Sequence, residues 1–171
     1  KDVDDGIVSY EHDGSETTHD TFTFNVTDET GQSTPNRVYN INIHPVADTP
    51  ILDYHTPVTL LEGESHTFTK LRMNVVDLDT PDEELIYHLQ QLPENGDLYL
   101  DGVALTLDDT FSQEDVDTGL ISYTHNGSKT FDDSFSYNIH DDVDNESPLA
   151  TFTLTVTPNP NAPSISTSEL L

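Results

Sequence analysis

The sequence lacks cysteine and tryptophan, and only five of its 171 residues are lysine or arginine. Without cysteine, the fold has no disulfides and thiol chemistry is excluded. Without tryptophan, the chain lacks the best aromatic platform for a glycan-cleaving cleft, and this argues against a glycosidase. No apolar run approaches the roughly 20 residues that a membrane-spanning helix needs. We therefore expect no membrane insertion.

Basic residues are few, whereas 33 residues are acidic and the formal net charge is −28. A polyanion of this kind repels nucleic acid and anionic lipid surfaces, so we expect neither as a partner. Divalent cations or a salty medium would relieve its self-repulsion. The acidity and the scarcity of lysine favour a bacterial source.

Polar and apolar side chains alternate in residues 21–27 and 151–157. This period of two is typical of strands with one buried and one solvated face, and it outweighs the low hydrophobic content of 33%. No segment has the pattern of a long amphipathic helix, so the sequence predicts an all-β fold. The predicted strands are 58–61, 65–69, 71–76, 85–91, 97–107, 119–125, 133–140 and 149–157.

The chain repeats itself at an offset of 113 residues. Residues 2–50 align without a gap with residues 115–163, with 17 identities in 49 positions. This period suits a sandwich domain and is too long for a solenoid unit. Proline-containing linkers mark the expected boundaries. We interpret 1–47 as the C-terminal half of a repeat, 48–160 as a complete repeat and 161–171 as the start of another.

Several motifs of the complete repeat resemble those of a CSPG repeat. They are Leu61-Glu62-Gly63-Glu64, Val76-Asp77-Leu78-Asp79, Asn95-Gly96-Asp97-Leu98, residues 111–119, residues 121–128, and Asp133 with Phe135. CSPG repeats are cadherin-like modules of the NG2 proteoglycan, the FRAS and FREM matrix proteins and giant bacterial RTX-type adhesins. The resemblance implies a cadherin-like or immunoglobulin-like Greek-key β-sandwich, repeated in tandem as an extracellular or cell-surface extender or adhesion module.

The same resemblance implies calcium between successive domains. Asp77 and Asp79 resemble the paired aspartates of cadherins, Asp141 the aspartate before the last hairpin, and Asp48 a linker aspartate. These four residues predict one site between the half repeat and the complete one. Glu62 resembles the glutamate that a preceding domain donates, and it would serve the other end of the complete repeat. Alternatively, these carboxylates only solvate the surface, as most acidic side chains do.

Weaker arguments bear on catalysis and on ligand binding. His12 and His125 lie before Asp-Gly-Ser and Asn-Gly-Ser, where a structural role in a hairpin is favoured over catalysis. No nucleophile elbow or HExxH motif is present, so we expect no enzyme. The sandwich could instead bind carbohydrate or a matrix protein, and Tyr54 and Tyr99 are the aromatic candidates for such a surface.

The sequence therefore predicts a calcium-rigidified extender or adhesion repeat of a large extracellular protein, with a bacterial adhesin in cell adhesion or biofilm attachment as the specific form. The expected partners are neighbouring repeats of the same chain, and glycans or matrix and host proteins. An open sandwich edge templates strand pairing, so the half repeat also predicts a strand-exchanged dimer.

Overall fold

The computed structural model describes residues 4–160. The chain divides into two compact units, Lys1–Ala47 and Asp48–Leu171. The predicted start of a further repeat, residues 161–171, lies outside the described residues.

The first unit is built on an antiparallel hairpin of β1 (His19–Phe24) and β2 (Arg37–Asn42). Phe22 lies opposite Tyr39 in the register, and their rings stack with centroids 5.2 Å apart. An isolated bridge between Thr27 and Ser33 continues the pairing towards the hairpin loop. Of the alternating pattern of residues 21–27, residues 21–24 thus lie in a strand, as predicted, although the apolar face of this strand is largely exposed.

Within residues 48–160, the second unit has short strands in three sheets, antiparallel or mixed, and one helical turn. A five-stranded sheet has the order β10-β7-β12-β13-β4, a four-stranded sheet the order β5-β11-β8-β9, and β3 pairs with β6. β4 runs parallel to β13. The elements are β3 (Ile51–His55), β4 (Val58–Leu61), β5 (Ser65–Thr67), β6 (Met73–Val76), β7 (Ile86–Gln91), β8 (Gly96–Leu100), β9 (Val103–Ala104), β10 (Thr110–Ser112), α1 (Gln113–Asp117), β11 (Ile121–His125), β12 (Asp132–His140) and β13 (Ala150–Thr157).

Aromatic side chains form the centre of the core between the layers. Phe135 of β12 lies opposite Phe152 of β13, and both rings are fully buried. Phe68, from the segment between β5 and β6, packs edge-on against both rings, at centroid distances of 5.6 and 5.2 Å. Burial of such large rings contributes much of the stability of a small sandwich. The predicted all-β sandwich is confirmed.

The internal repeat is also visible in three dimensions. At the offset of 113 residues, Phe22 and Tyr39 correspond to Phe135 and Phe152, and both pairs are direct cross-strand neighbours. The second pair stacks at 5.4 Å, close to the spacing of the first. The two hairpins are therefore equivalent in register as well as in sequence.

Four elements differ from the sequence prediction. β3 was not predicted, because residues 51–55 do not alternate cleanly and the pairing of β3 with β6 shifts register between Leu52 and Tyr54. The predicted strand 97–107 is two strands, separated by a tight turn in which Asp101 and Gly102 both have positive φ. β10 and α1 were also missed, although Ser112 and Asp115 form a capping box that marks the start of the helix.

Equivalent core positions provide a matched pair of substitutions. Phe135→Ala should lower the unfolding free energy of the second unit by about 3–5 kcal/mol, because it leaves a cavity among fully buried rings. Phe22→Ala, at the corresponding position with 43% exposure, should change that transition by less than about 0.5 kcal/mol. Urea denaturation measures both. Equal losses would contradict the assignment of the core.

Candidate functional site

Asp141 anchors the loop that follows β12. Its side chain is 5% exposed, and its Oδ1 accepts hydrogen bonds from the backbone N–H groups of Val143 and Asn145, at 3.0 and 2.7 Å. The Asn145 side-chain amide donates to the other oxygen, Oδ2, at 2.7 Å. A buried carboxylate is thus held in a fixed orientation at the end of the sheet.

Asp48 is joined to the same loop through its backbone. The Asn145 side-chain amide also donates to the carbonyl oxygen of Asp48, at 3.0 Å. The side chain of Asp48 is exposed. A single asparagine therefore connects the linker residue to the loop that Asp141 holds.

Asp77 and Asp79 lie in the loop directly after β6. Asp77 Oδ1 accepts hydrogen bonds from the N–H groups of Asp79 and Thr80, at 3.0 and 3.2 Å. Its Oδ2 is buried and has no hydrogen-bond partner within residues 4–160. Burial opposes ionisation, but a side-chain hydrogen bond with Asp79 and, after it, the backbone hydrogen bonds outweigh burial and lower the pKa of Asp77. An anionic oxygen at neutral pH is thus buried without a matching donor.

The loops after β6 and β12 are also in contact. The Thr80 hydroxyl donates to Asp142 Oδ1 at 3.2 Å. The loops that carry Asp77, Asp79 and Asp141 are therefore neighbours, and Asp48 is joined to the second of them through its carbonyl. In residues 4–160, however, no three acidic or histidine side chains are grouped closely enough to hold an ion.

The residues at this end nonetheless fit calcium in chemical type. Carboxylate and carbonyl oxygens are its preferred ligands, and the buried Asp77 Oδ2 is an acceptor that a cation would satisfy. The side chains of Asp48 and Asp79 are exposed, so a rotation could bring their oxygens to an ion. Calcium binding here stays a prediction.

Glu62 lies at the opposite end of the unit, directly after β4. Its carboxylate is 6% exposed and accepts hydrogen bonds from Lys129 Nζ at 2.6 and 2.8 Å. The hydrogen bond from Lys129 is the main reason that the pKa of Glu62 is lowered. An ammonium group already neutralises this carboxylate, so Lys129 would have to leave before Glu62 could bind an ion. The pair spans 67 positions, and no sequence signal links its members.

His125 has the structural role that its motif predicts. The ring is 2% exposed, and its Nδ1 accepts backbone N–H bonds from Gly63 and Gly127, both at 3.1 Å. Nε2 lies 3.1 Å from the Thr130 hydroxyl. Because Nδ1 accepts, we assign the proton to Nε2. The ring ties the hairpin turn to the loop after β4.

Tyr123 and Asp133 form a second tie that the sequence analysis missed. The Tyr123 hydroxyl donates to Asp133 at 2.8 Å, and the same carboxylate accepts the N–H groups of Glu94 and Asn95 at 2.9 and 3.0 Å. A Cβ on Gly96 would overlap the Tyr123 ring, so the turn needs glycine there. These motif residues close the sandwich.

The two aromatic candidates for ligand binding do not share a strand. Tyr54 is 54% exposed on β3, whereas Tyr99 is half-buried on β8, in a different sheet. A common platform of these two rings is therefore not a feature of the fold.

The sequence of the chain matches a known protein family. The profile of the family described as cadherin-like matches residues 1–43 and 50–156. The chain belongs to the cadherin-like family. Its resemblance to the CSPG repeat is likewise confirmed, because proteins that carry this repeat are among its relatives.

The cadherin-like relatives are large proteins. The chain is 36% identical over 74% of its length to "Extracellular matrix protein 3" of Lytechinus variegatus, and covers 4% of that protein. It is 32% identical over 70% of its length to "FRAS1-related extracellular matrix protein 2" of Homo sapiens, again covering 4%. It is 32% identical over 81% of its length to "Chondroitin sulfate proteoglycan 4" of Homo sapiens, and covers 6% of that protein. The names of the matrix relatives confirm the expected extracellular setting of this cadherin-like repeat.

Similarity to solved structures is weak. A solved structure of Clostridium thermocellum CbhA fibronectin(III)-like modules shares 14% identity at a TM-score of 0.31, over 80% of this chain and 60% of that one. This value is too low to bear on the fold. Within residues 4–160, no helix is long and apolar enough to cross a membrane.

The Glu62–Lys129 pair predicts a pH dependence. Because the folded-state pKa of Glu62 lies below its ordinary value of 4.5, the pair stabilises the fold above pH 4.5 and loses this contribution as the pH falls through the lowered pKa. Lys129→Met should therefore be destabilising at pH 7, and its difference from the parent chain should shrink in acid. Urea denaturation at pH 7 and at a pH below the lowered pKa of Glu62 measures the two differences in unfolding free energy.

The matched control is Lys70→Met, which removes a more exposed contact with Asp117 at 3.5 Å. Exposed ion pairs contribute little, so this variant should stay close to the parent chain at both pH values. A penalty for Lys129→Met that is equal at neutral and acid pH would contradict the assignment.

Proposed function

We propose that the chain is a spacer repeat of an adhesive or matrix-type extracellular protein, and that calcium bound by its end carboxylates limits how successive repeats are oriented. The observation that carries the proposal is the contact between the loop of Asp77 and Asp79 and the loop after Asp141, to which the backbone of Asp48 is also joined. Its support is the buried acceptor on Asp77, which lacks a donor within the described residues.

The physical basis is electrostatic. With a formal charge of −28, the chain gains from any cation that it can hold between carboxylates. Two like charges a few ångströms apart repel even in water, and they repel more where solvent is partly excluded. A divalent ion replaces this repulsion with attraction to every ligand. Ligands on a linker and on the loops of one domain would then restrict the angles that the linker samples.

The ligands have different roles in this proposal. Asp77 and Asp141 are held by backbone hydrogen bonds and would supply preset oxygens. Asp48 and Asp79 are exposed and would turn towards the ion when it binds. Glu62 would join a site at the opposite end only after Lys129 leaves, so we expect that end to bind calcium more weakly.

The wider setting is part of the proposal. The relatives named as extracellular matrix proteins favour a matrix or cell-adhesion role, with neighbouring repeats, matrix proteins or glycans as partners. The bacterial adhesin in biofilm attachment stays a prediction from composition, and the relatives named above are from Lytechinus variegatus and Homo sapiens. The proposal assigns the chain no catalytic role.

Calorimetric titration with calcium tests the site. We expect binding with a dissociation constant of about 10⁻⁴–10⁻³ M, as in extracellular modules. Asp77→Ala and Asp79→Ala should each weaken it by at least about tenfold, because affinity follows the number of charged ligands. At a hundredfold excess over the dissociation constant, calcium should stabilise the second unit by about 2.7 kcal/mol.

The control is Asp97→Asn, an exposed carboxylate on β8, which should leave the titration unchanged. Small-angle scattering then tests the orienting role, with EDTA expected to broaden the distribution of distances while each unit stays folded. Absence of binding would refute the calcium site. Binding with identical scattering curves would refute only the restriction of the linker.

A further inference from the structure

The first unit presents an uncovered apolar face. It lines an open groove of about 950 Å³ on β1, β2 and the segment before them. Exposed aromatic rings dominate it, with Tyr39 55% and Phe22 43% exposed. Contiguous apolar surface of this kind marks an interaction site in soluble proteins. The lining residues used below are Val8, Tyr10, Phe22, Phe24, Tyr39 and Ile41.

The second unit shows what covers an equivalent face. At the offset of 113 residues, every one of these six side chains has a counterpart that is at most 1% exposed. Phe68 and His55 provide part of the cover, since Phe68 packs edge-on against two of the counterparts and His55 stacks on one at 5.0 Å. The counterparts are Ile121, Tyr123, Phe135, Tyr137, Phe152 and Leu154.

Asp20 supplies a polar anchor on this face. The Tyr10 hydroxyl donates to Asp20 at 3.0 Å, just as the Tyr123 hydroxyl donates to Asp133 at 2.8 Å. In the second unit, that carboxylate also accepts two backbone N–H groups from the turn before Gly96. In the first unit, the Asp20 carboxylate is thus already positioned to accept hydrogen bonds from such a turn.

His12 supplies a second polar anchor. Its Nδ1 accepts the N–H of Gly14 and its Nε2 lies 2.9 Å from the Thr17 hydroxyl, which reproduces the contacts of His125 with its own hairpin. In the second unit, the same nitrogen also accepts the N–H of Gly63 from the first half of the repeat. Both the apolar face and the two polar anchors of the first unit therefore correspond to residues that contact the first half of the repeat in the second unit.

We infer that the first unit is a docking surface for the first half of a further repeat, a polypeptide segment with the residue pattern of 51–113. The segment places an aromatic ring, equivalent to Phe68, over Phe22 and Tyr39. Its turn, equivalent to Glu94–Gly96, donates two N–H groups to Asp20, and a glycine equivalent to Gly63 donates to His12.

A second copy of this chain is a poorer occupant. Each chain holds one first half-repeat, residues 51–113, and two second halves, in the first and second units. Exchange of the first halves between two copies leaves two second halves uncovered, as many as before. Strand exchange therefore gains no burial of apolar surface, which is the main driving force for association.

The test supplies the occupant from the chain itself. Residues 48–114 are duplicated in front of Asp2, in place of Lys1, which restores the register because residue 115 aligns with residue 2. Amide hydrogen exchange is then followed at Phe22 and Tyr39 in EDTA, so that the result is independent of the calcium proposal. Exchange at these two amides should slow by at least about 100-fold. It would change from exchange through local opening to the slow exchange that is typical of core strands.

A matched control carries Phe68→Asp in the duplicated segment only, and it should abolish most of this protection. Asp20→Asn in the extended chain should reduce protection at Phe22, because the amide cannot accept all the N–H groups that a carboxylate accepts. Exchange in β12 and β13 reports whether the second unit stays folded.

Two results would overturn the inference. One is fast exchange at Phe22 and Tyr39 in the extended chain while β12 stays protected. The other is a dimer of the parent chain in sedimentation equilibrium that Phe22→Asp abolishes, since a second copy would then be the occupant.

Discussion

Burial of one aromatic face by an opposing layer is the constraint on which this structure depends. The hairpin of β12 and β13 carries Phe135 and Phe152 on its inner side, and it is stable as part of a sandwich only because Phe68 and its neighbours exclude water from that side. The hairpin of β1 and β2 carries equivalent rings without such cover. The same hairpin thus occurs twice in the chain, once covered by an opposing layer and once with its aromatic face exposed.

Polar ties accompany this burial and give the repeat its signature. The motif from residue 121 to residue 135 contains both His125 and the Tyr123–Asp133 pair, and each accepts backbone N–H groups from the first half of the repeat. Buried acceptors that are satisfied in this way fix the register of the layers. The conspicuous residues of the motif therefore act in closure of the sandwich.

Much of this fold could be predicted from alternation and turn residues. The strand 58–61 was predicted with its observed ends, and β12 and β13 to within one residue, because each has a clean period of two. β3 was missed because its register shift breaks that period. The capping box at Ser112 was a readable signal for α1 that the strand pattern around it obscured.

The candidate site could be predicted only in part. Asp48, Asp77, Asp79 and Asp141 were predicted through a family resemblance, and the structure brings the loops that carry them into contact. Neither Asn145, which links two of their loops, nor Lys129, which pairs with Glu62, could be found from one sequence. Both contacts join positions far apart in the chain, and no local pattern encodes such distances.

Amide hydrogen exchange of the unmodified chain tests the central claim most directly, by comparing Phe22 with Phe135 at equivalent positions of the two hairpins. If burial by an opposing layer is what stabilises the hairpin, Phe135 exchanges only through global unfolding, and Phe22 exchanges orders of magnitude faster through local opening. Equal protection at the two positions would contradict the account, since the hairpin would then be stable without its cover.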